Sequence, residues 1–183
     1  MIWKTNAQRT LLWCLYTLGT PCILGSGCGY SFSGASFSSS AQTFSIAQFY
    51  NHAQLGPPDI AAVFSDKLRN YFERQSPLTL VEKDGDAHFE GIVEDYTLSP
   101  IAAQAPAGQQ DIGFASLTRL SITVSVSYMP KWDEKEGFVN EKFSFFIDFD
   151  HTKVDLVLEE EALIESIFDQ IVQDIFNRAF ANW

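Results

Sequence analysis

An α+β domain, with two helices packed on one face of a mixed sheet of about four to five strands, is what this sequence predicts, and three patterns predict it. Leu163/Ile164, Ile167/Phe168, Ile171/Val172, Ile175/Phe176 and Ala179/Phe180 recur every four residues, which is the period of a helix with one buried stripe. Leu120, Ile122, Val124, Val126 and Tyr128 alternate with Arg119, Ser121, Thr123, Ser125 and Ser127, so this strand has one covered and one open face. A second, shorter helical period (Ile60, Val63, Phe64, Leu68, Tyr71, Phe72) lies nearer the N-terminus. Both apolar stripes are buried most simply against the same face of one sheet.

The chain opens with Lys4 and Arg9, an apolar run from Leu11 to Leu24, and small residues before Cys28. This is the pattern of a lipoprotein signal, in which the thiol takes a diacylglycerol and the chain is cut just before the cysteine. The lipobox is irregular, with Gly25 where Leu is usual and Leu24 one place earlier. Cys22 fits less well, because Pro21 would stand at the cut. Cleavage without lipid and a retained anchor are the alternatives. Gly19, Thr20 and Pro21 interrupt a run already short for about 30 Å of hydrocarbon.

The expected organisation is thus a signal peptide over 1–27, lipidated Cys28 with a tether over 28–41, and one domain over 42–183. Of 183 residues, 156 remain after the leader, enough for one domain with a substantial core. Cys14 and Cys22 leave with the leader and Cys28 carries lipid, so no disulfide or cysteine metal site is expected. The whole chain carries 12 basic and 23 acidic residues, net −11, and loss of Lys4 and Arg9 makes the remainder −13. That balance argues against nucleic acid, which needs clustered cations. It also argues against docking on an anionic membrane by charge, leaving binding to the acyl chains at about 0.8 kcal/mol per buried methylene.

Taken in order, the segment from Gly29 to Ser40 is rich in Ser and Gly and reads as a flexible tether. Tyr30 and Phe32 within it could instead lie along the domain or at the membrane interface. Thr43 to Tyr50 alternates through Phe44, Ile46, Gln48 and Tyr50 as a first strand, ended by Asn51 and Gly56-Pro57-Pro58. A helix over 59–75 follows, opened by the prolines and Asp59 and stopped by Ser76-Pro77, with Asp66, Lys67, Asn70, Glu73 and Arg74 on its solvated face.

Leu78 to Val81 and Ala87 to about Leu98 flank Asp84-Gly85-Asp86 and read as a hairpin. The inward set changes parity from Phe89, Gly91 and Val93 to Tyr96 and Leu98, which predicts a bulge near Glu94-Asp95. Ile101 to Ser116 is an aperiodic loop, long enough to be functional or mobile. After the strand Thr118 to Tyr128, Lys131 to Gly137 is a charged hairpin tip. Phe138 to Phe149 then returns with Phe143, Phe145, Ile147 and Phe149 inward. Lys142, Ser144, Phe146 and Asp148 face outward, with Phe146 out of place in that polar row. The last helix is expected from about Glu160 to Ala181, acids at its start and Arg178 near its end, both suited to the helix dipole.

Catalytic signals are weak. The histidines His52, His88 and His151 are scattered, and there is no nucleophile elbow, phosphate loop or His-Glu-x-x-His. Asp148, Asp150, His151 and Asp155 are the nearest thing to a metal cluster and read better as the polar exit of a Phe-rich strand. The acidic pair Glu94-Asp95 could do acid/base work only beside a cleft that nothing indicates. No catalytic residue, cofactor or metal is expected, and a role in binding or holding is favoured.

Five segments carry a resemblance: the Cys28-Gly29-Tyr30-x-Phe32 start, "LTLVEKDGDAHFEGIV", "RLSITVSVSYM", "KFSFFIDF" and "LIESIFDQIVQDIFNRAF". In order and pattern they resemble LptE, the lipopolysaccharide-assembly lipoprotein family of the outer membrane, in a divergent form. The resemblance implies a domain that plugs the lumen of the LptD-type outer-membrane barrel, aids its assembly and takes part in delivering lipopolysaccharide to the outer leaflet. It implies lipopolysaccharide contact through basic strand residues, for which Lys142 and Arg119 are the matching positions. The excess of acid departs from what phosphate binding favours. Gly29, rather than Asp, after the cysteine suits outer-membrane sorting, with the domain on the periplasmic side and in the barrel lumen. The alternative is a periplasm-facing ligand-binding or transport-auxiliary lipoprotein.

Overall fold

A computed structural model describes residues 41–101, 117–150, 153 and 155–180. All belong to one compact unit, Ser33–Trp183. The leader, Cys28, the tether as far as Ser40, the loop 102–116 and His151 lie outside the described residues.

The elements in chain order are β1 (Thr43–Ile46), β2 (Tyr50–Asn51), α1 (Ile60–Gln75), β3 (Thr79–Leu80), β4 (Ala87–Ile101), β5 (Leu117–Pro130), a single 3-10 turn (Glu134–Glu136), β6 (Phe138–Asp150) and α2 (Leu156–Phe180). The sheet runs β3-β1-β4-β5-β6, with β2 also paired to β4. It is mixed: β1 is parallel to β3 and β4, whereas β4, β5 and β6 are antiparallel neighbours. The α+β class is therefore as expected, with six strands, two of them only two residues long.

The expected hairpin between β3 and β4 does not form. β1 lies between them, and β3 joins its parallel side after the α1 crossover. Asp84-Gly85-Asp86 instead carries the chain tightly across the start of β1. A Cβ on Gly85 would lie 2.5 Å from Phe44 C and Ser45 N, and Gly85 N donates to Ser45 Oγ. Asp84 takes a left-handed φ of 55° to enter this crossing. Asp86 fastens it, its Oδ2 accepting from Gln42 N, Thr43 N and Thr43 Oγ1.

Those hydrogen bonds hold the Asp86 carboxyl below the usual carboxylate range, the Gln42 N–H contributing most. A lowered folded pKa gives stability that is fully present above the unfolded value and is lost as pH falls through the folded one. Urea midpoints of wild type and Asp86→Ala should therefore differ at pH 7 and draw together as pH falls below the usual carboxylate range of about 4.

The first strand also departs from simple alternation. Phe44 and Ile46 are buried as expected, but Tyr50 is 69% exposed and Phe49 is buried in its place. Ser65 of α1 causes the shift: its Oγ accepts from Phe49 N at 3.0 Å, drawing the chain off β4 between β1 and β2. Ile46 pairs with Phe89 and Tyr50 with Ile92, so one extra residue is absorbed there.

The remaining expectations fare better. β4 shifts register between Val93 and Asp95, placing the bulge at Glu94. Leu120, Ile122, Val124, Val126 and Tyr128 of β5 are all buried. The hairpin tip is capped by Asp133, whose side chain accepts from Lys135 N. On α1 Val63 is exposed, while Ala61 and Ser65 are buried. Lys67 is not simply solvated, since it joins the helices by pairing with Asp169 at 3.0 Å and donating to Glu165 O. α2 begins about a turn earlier than expected, and Ile164, Ile167, Phe168, Ile171, Val172, Ile175, Phe176 and Phe180 of its stripe are buried. Both helices join the inward residues of β1, β4 and β5 in one core, and no described helix packs on the other sheet face, where Ser125 and Ser127 of β5 are nonetheless buried.

Candidate functional surface

The open face is built by the outward residues of β4, β5 and β6. Strand register sets Arg119 opposite Asp148, Ser121 opposite Phe146, Thr123 opposite Ser144, and Ser125 opposite Lys142. Both candidate cations therefore stand on the same face. They are six positions apart along β5, about 20 Å at the usual rise, so they cannot grip one phosphate together.

Arg119 is held in place. Its Nε and one terminal nitrogen donate to the two Asp148 oxygens at 2.7 and 2.8 Å, and its guanidinium lies 3.6 Å from the centre of the Phe146 ring. These hydrogen bonds push the Arg119 pKa up and the Asp148 pKa down. Phe146, out of place in the sequence pattern, is thus the platform on which Arg119 rests, and it remains 46% exposed. Lys142 donates to Glu94 Oε1, which the β4 bulge brings within reach across β5. Glu94 Oε2 is buried with no hydrogen-bond partner among the described residues.

Between these two ion pairs the face is polar, with Thr123 Oγ1 donating to Ser144 Oγ at 3.1 Å. Asp148 is committed to Arg119 and Asp150 to Lys153 at 3.0 Å, so the acidic strand exit is already charge-compensated. Among the described residues no group of His, Cys, Asp and Glu is placed to hold a metal ion. Glu94 and Asp95 diverge: Glu94 pairs with Lys142, and Asp95 accepts from Thr97 Oγ1.

A groove of about 590 Å³ opens where the crossing loop meets the hairpin tip, lined in part by Asp84, His88, Met129, Lys131 and Val139. Sequence reading missed it, because its two walls are 40 and more residues apart. His88 is tied through Nδ1 to Ser45 Oγ at 2.8 Å, and Lys131 Nζ donates to Asp84 O. Tyr128 at its margin is buried, and its hydroxyl has no partner among the described residues.

A one-sided sheet backed by two helices, with a second face of paired charges and hydroxyls, defines an α+β domain of the two-layer kind. The LptE lipopolysaccharide-assembly family model matches residues 41–179, and the chain belongs to that family. No curated protein sequence matches it. Among solved structures it is similar to the hypothetical protein CT253 from Chlamydia trachomatis, with a TM-score of 0.51 at 11% identity over 78% of this chain and 99% of that one. It is less similar to uncharacterized lipoprotein B from Nitrosomonas europaea (TM-score 0.44, 13% identity, 79% of this chain and 90% of that one). For the rare lipoprotein B from Shewanella oneidensis the TM-score is 0.41 at 11% identity, covering 73% of this chain and 89% of that one.

Proposed function

We propose that this protein is an outer-membrane lipoprotein, anchored through acylated Cys28, that serves as a subunit of the lipopolysaccharide translocon and plugs an LptD-type barrel. The family match across residues 41–179 carries the reading, since it takes in nearly every described element. The open face gives the reading its physical content. A polar, charge-paired sheet face costs little to leave hydrated and can trade water for the hydrogen-bonding lining of a barrel lumen.

Direct contact with lipopolysaccharide is a finer part of the proposal. Arg119 on Phe146 and Lys142 on Glu94 are two separate points on this face, and each already has a carboxylate partner. A phosphate must compete with those carboxylates, so each cation acts by exchange of partners.

Crosslinking of tagged protein in gently solubilised envelopes should recover an LptD-type barrel. Cys28→Ala should still recover it at reduced yield, because the lipid delivers the domain while the barrel grips it. Recovery of no barrel by the wild-type chain would sink the proposal.

A further inference from the structure

Among the described residues β6 has a strand neighbour on one side only, and its outer edge carries backbone groups without a ladder partner. The opposite edge of the sheet is protected by brevity, since β3 is two residues long. β6 is different: its register with β5 runs unbroken from Glu141 to Asp150. An edge of that length is a template for one more strand.

We infer that the strand it fits is β6 of a second copy, paired antiparallel about a two-fold axis through Phe145, so that two sheets become one. Directly opposed residues in an antiparallel pair share a face, and a two-fold axis makes every contact occur twice. Centred on Phe145, Lys142 stands opposite the partner's Asp148 and Ser144 opposite the partner's Phe146. Inward, Phe143 meets the partner's Ile147 and Phe145 meets the partner's Phe145. The cross-strand charges extend pairs already present, giving a row that alternates in sign from Arg119 through Asp148 to the partner's Lys142 and Glu94.

Neighbouring registers are poorer. Centred on Ser144, Lys142 would face the partner's Phe146. Centred on Phe146, Lys142 would face the partner's Asp150, whose side chain is 15% exposed against 35% for Asp148, each carboxylate having a cation partner in its own chain. This pairing is additional to the barrel role and does not depend on it.

The test uses the full chain with Cys14, Cys22 and Cys28 changed to Ala, in two separately tagged populations, one Ser144→Cys and one Phe146→Cys. Both positions are exposed. In the inferred register they are directly opposed, at a Cα separation of about 4.5–5.5 Å that a disulfide bridges. Mild oxidation of the mixture should give a mixed-tag dimer at least about tenfold above either population alone, since like positions are then diagonal at roughly 7–8 Å. Sedimentation of the parent chain should show a dimer. A monomer without mixed disulfide, or strongest crosslinking of Phe146→Cys to itself, would overturn the inference.

Discussion

Phe72→Ala is expected to lower the unfolding free energy by about 3–5 kcal/mol, read from the shift in urea midpoint at constant slope. Phe72 is fully buried near the end of α1, where both helices and the sheet meet. Its ring centre lies 5.9 Å from Phe44 of β1 and 4.9 Å from Phe89 of β4. On α2 it is 5.3 Å from Phe176 and 5.7 Å from Phe180. Three of these four contacts are edge-to-face, the arrangement that adds about 0.5–1.5 kcal/mol per pair beyond area burial. Ala leaves a cavity walled by four other rings on three elements, so no single side chain can move to fill it. Against a total stability of about 5–15 kcal/mol, the loss is a large fraction of what holds the domain folded. Phe72→Leu, which keeps much of the volume, should cost clearly less; equal costs would mean that retained bulk contributes nothing and that the ring-to-ring contacts carry the whole effect.

How far such features can be read from sequence depends on where the deciding partner lies. α2 and β5 are legible because a period reports a buried face whatever the element packs against, and every inward residue expected on β5 is buried. The Glu94 bulge is legible for the same reason, as a change of parity inside one strand. The β3 pairing is not. Asp-Gly is a strong local hairpin signal, yet the same pair also suits a loop that must press against Phe44 and Ser45, and only the topology distinguishes the two uses. The break after Ile46 depends on the Ser65 hydroxyl reaching Phe49 from another element. The open face is similar: Phe146 stands out in the sequence as misplaced, but its reason, Arg119, lies 27 positions earlier and is brought over it by β5–β6 register.

Gly91→Val should destabilise by about 3 kcal/mol or more, at the upper end of what overpacking usually costs. Gly91 occupies an inward position of β4, between Phe89 and Val93, where the alternation invites a branched side chain. Two neighbours forbid it. A Cβ there would lie 2.2 Å from Ser125 O on β5 and 2.6 Å from Phe49 Cε1. The second obstacle follows from the break between β1 and β2, because the extra residue that puts Tyr50 outside turns Phe49 inward, onto the space left by the missing side chain. The ring could be removed, whereas the carbonyl belongs to a central strand and cannot retreat without disturbing the β4–β5 ladder. Phe49→Ala should therefore relieve only part of the cost: the double variant should be less destabilised than the sum of the singles, yet clearly less stable than Phe49→Ala alone. Strict additivity would mean that Phe49 and Gly91 do not share this space, and full rescue would assign the whole clash to the ring and none to the Ser125 carbonyl.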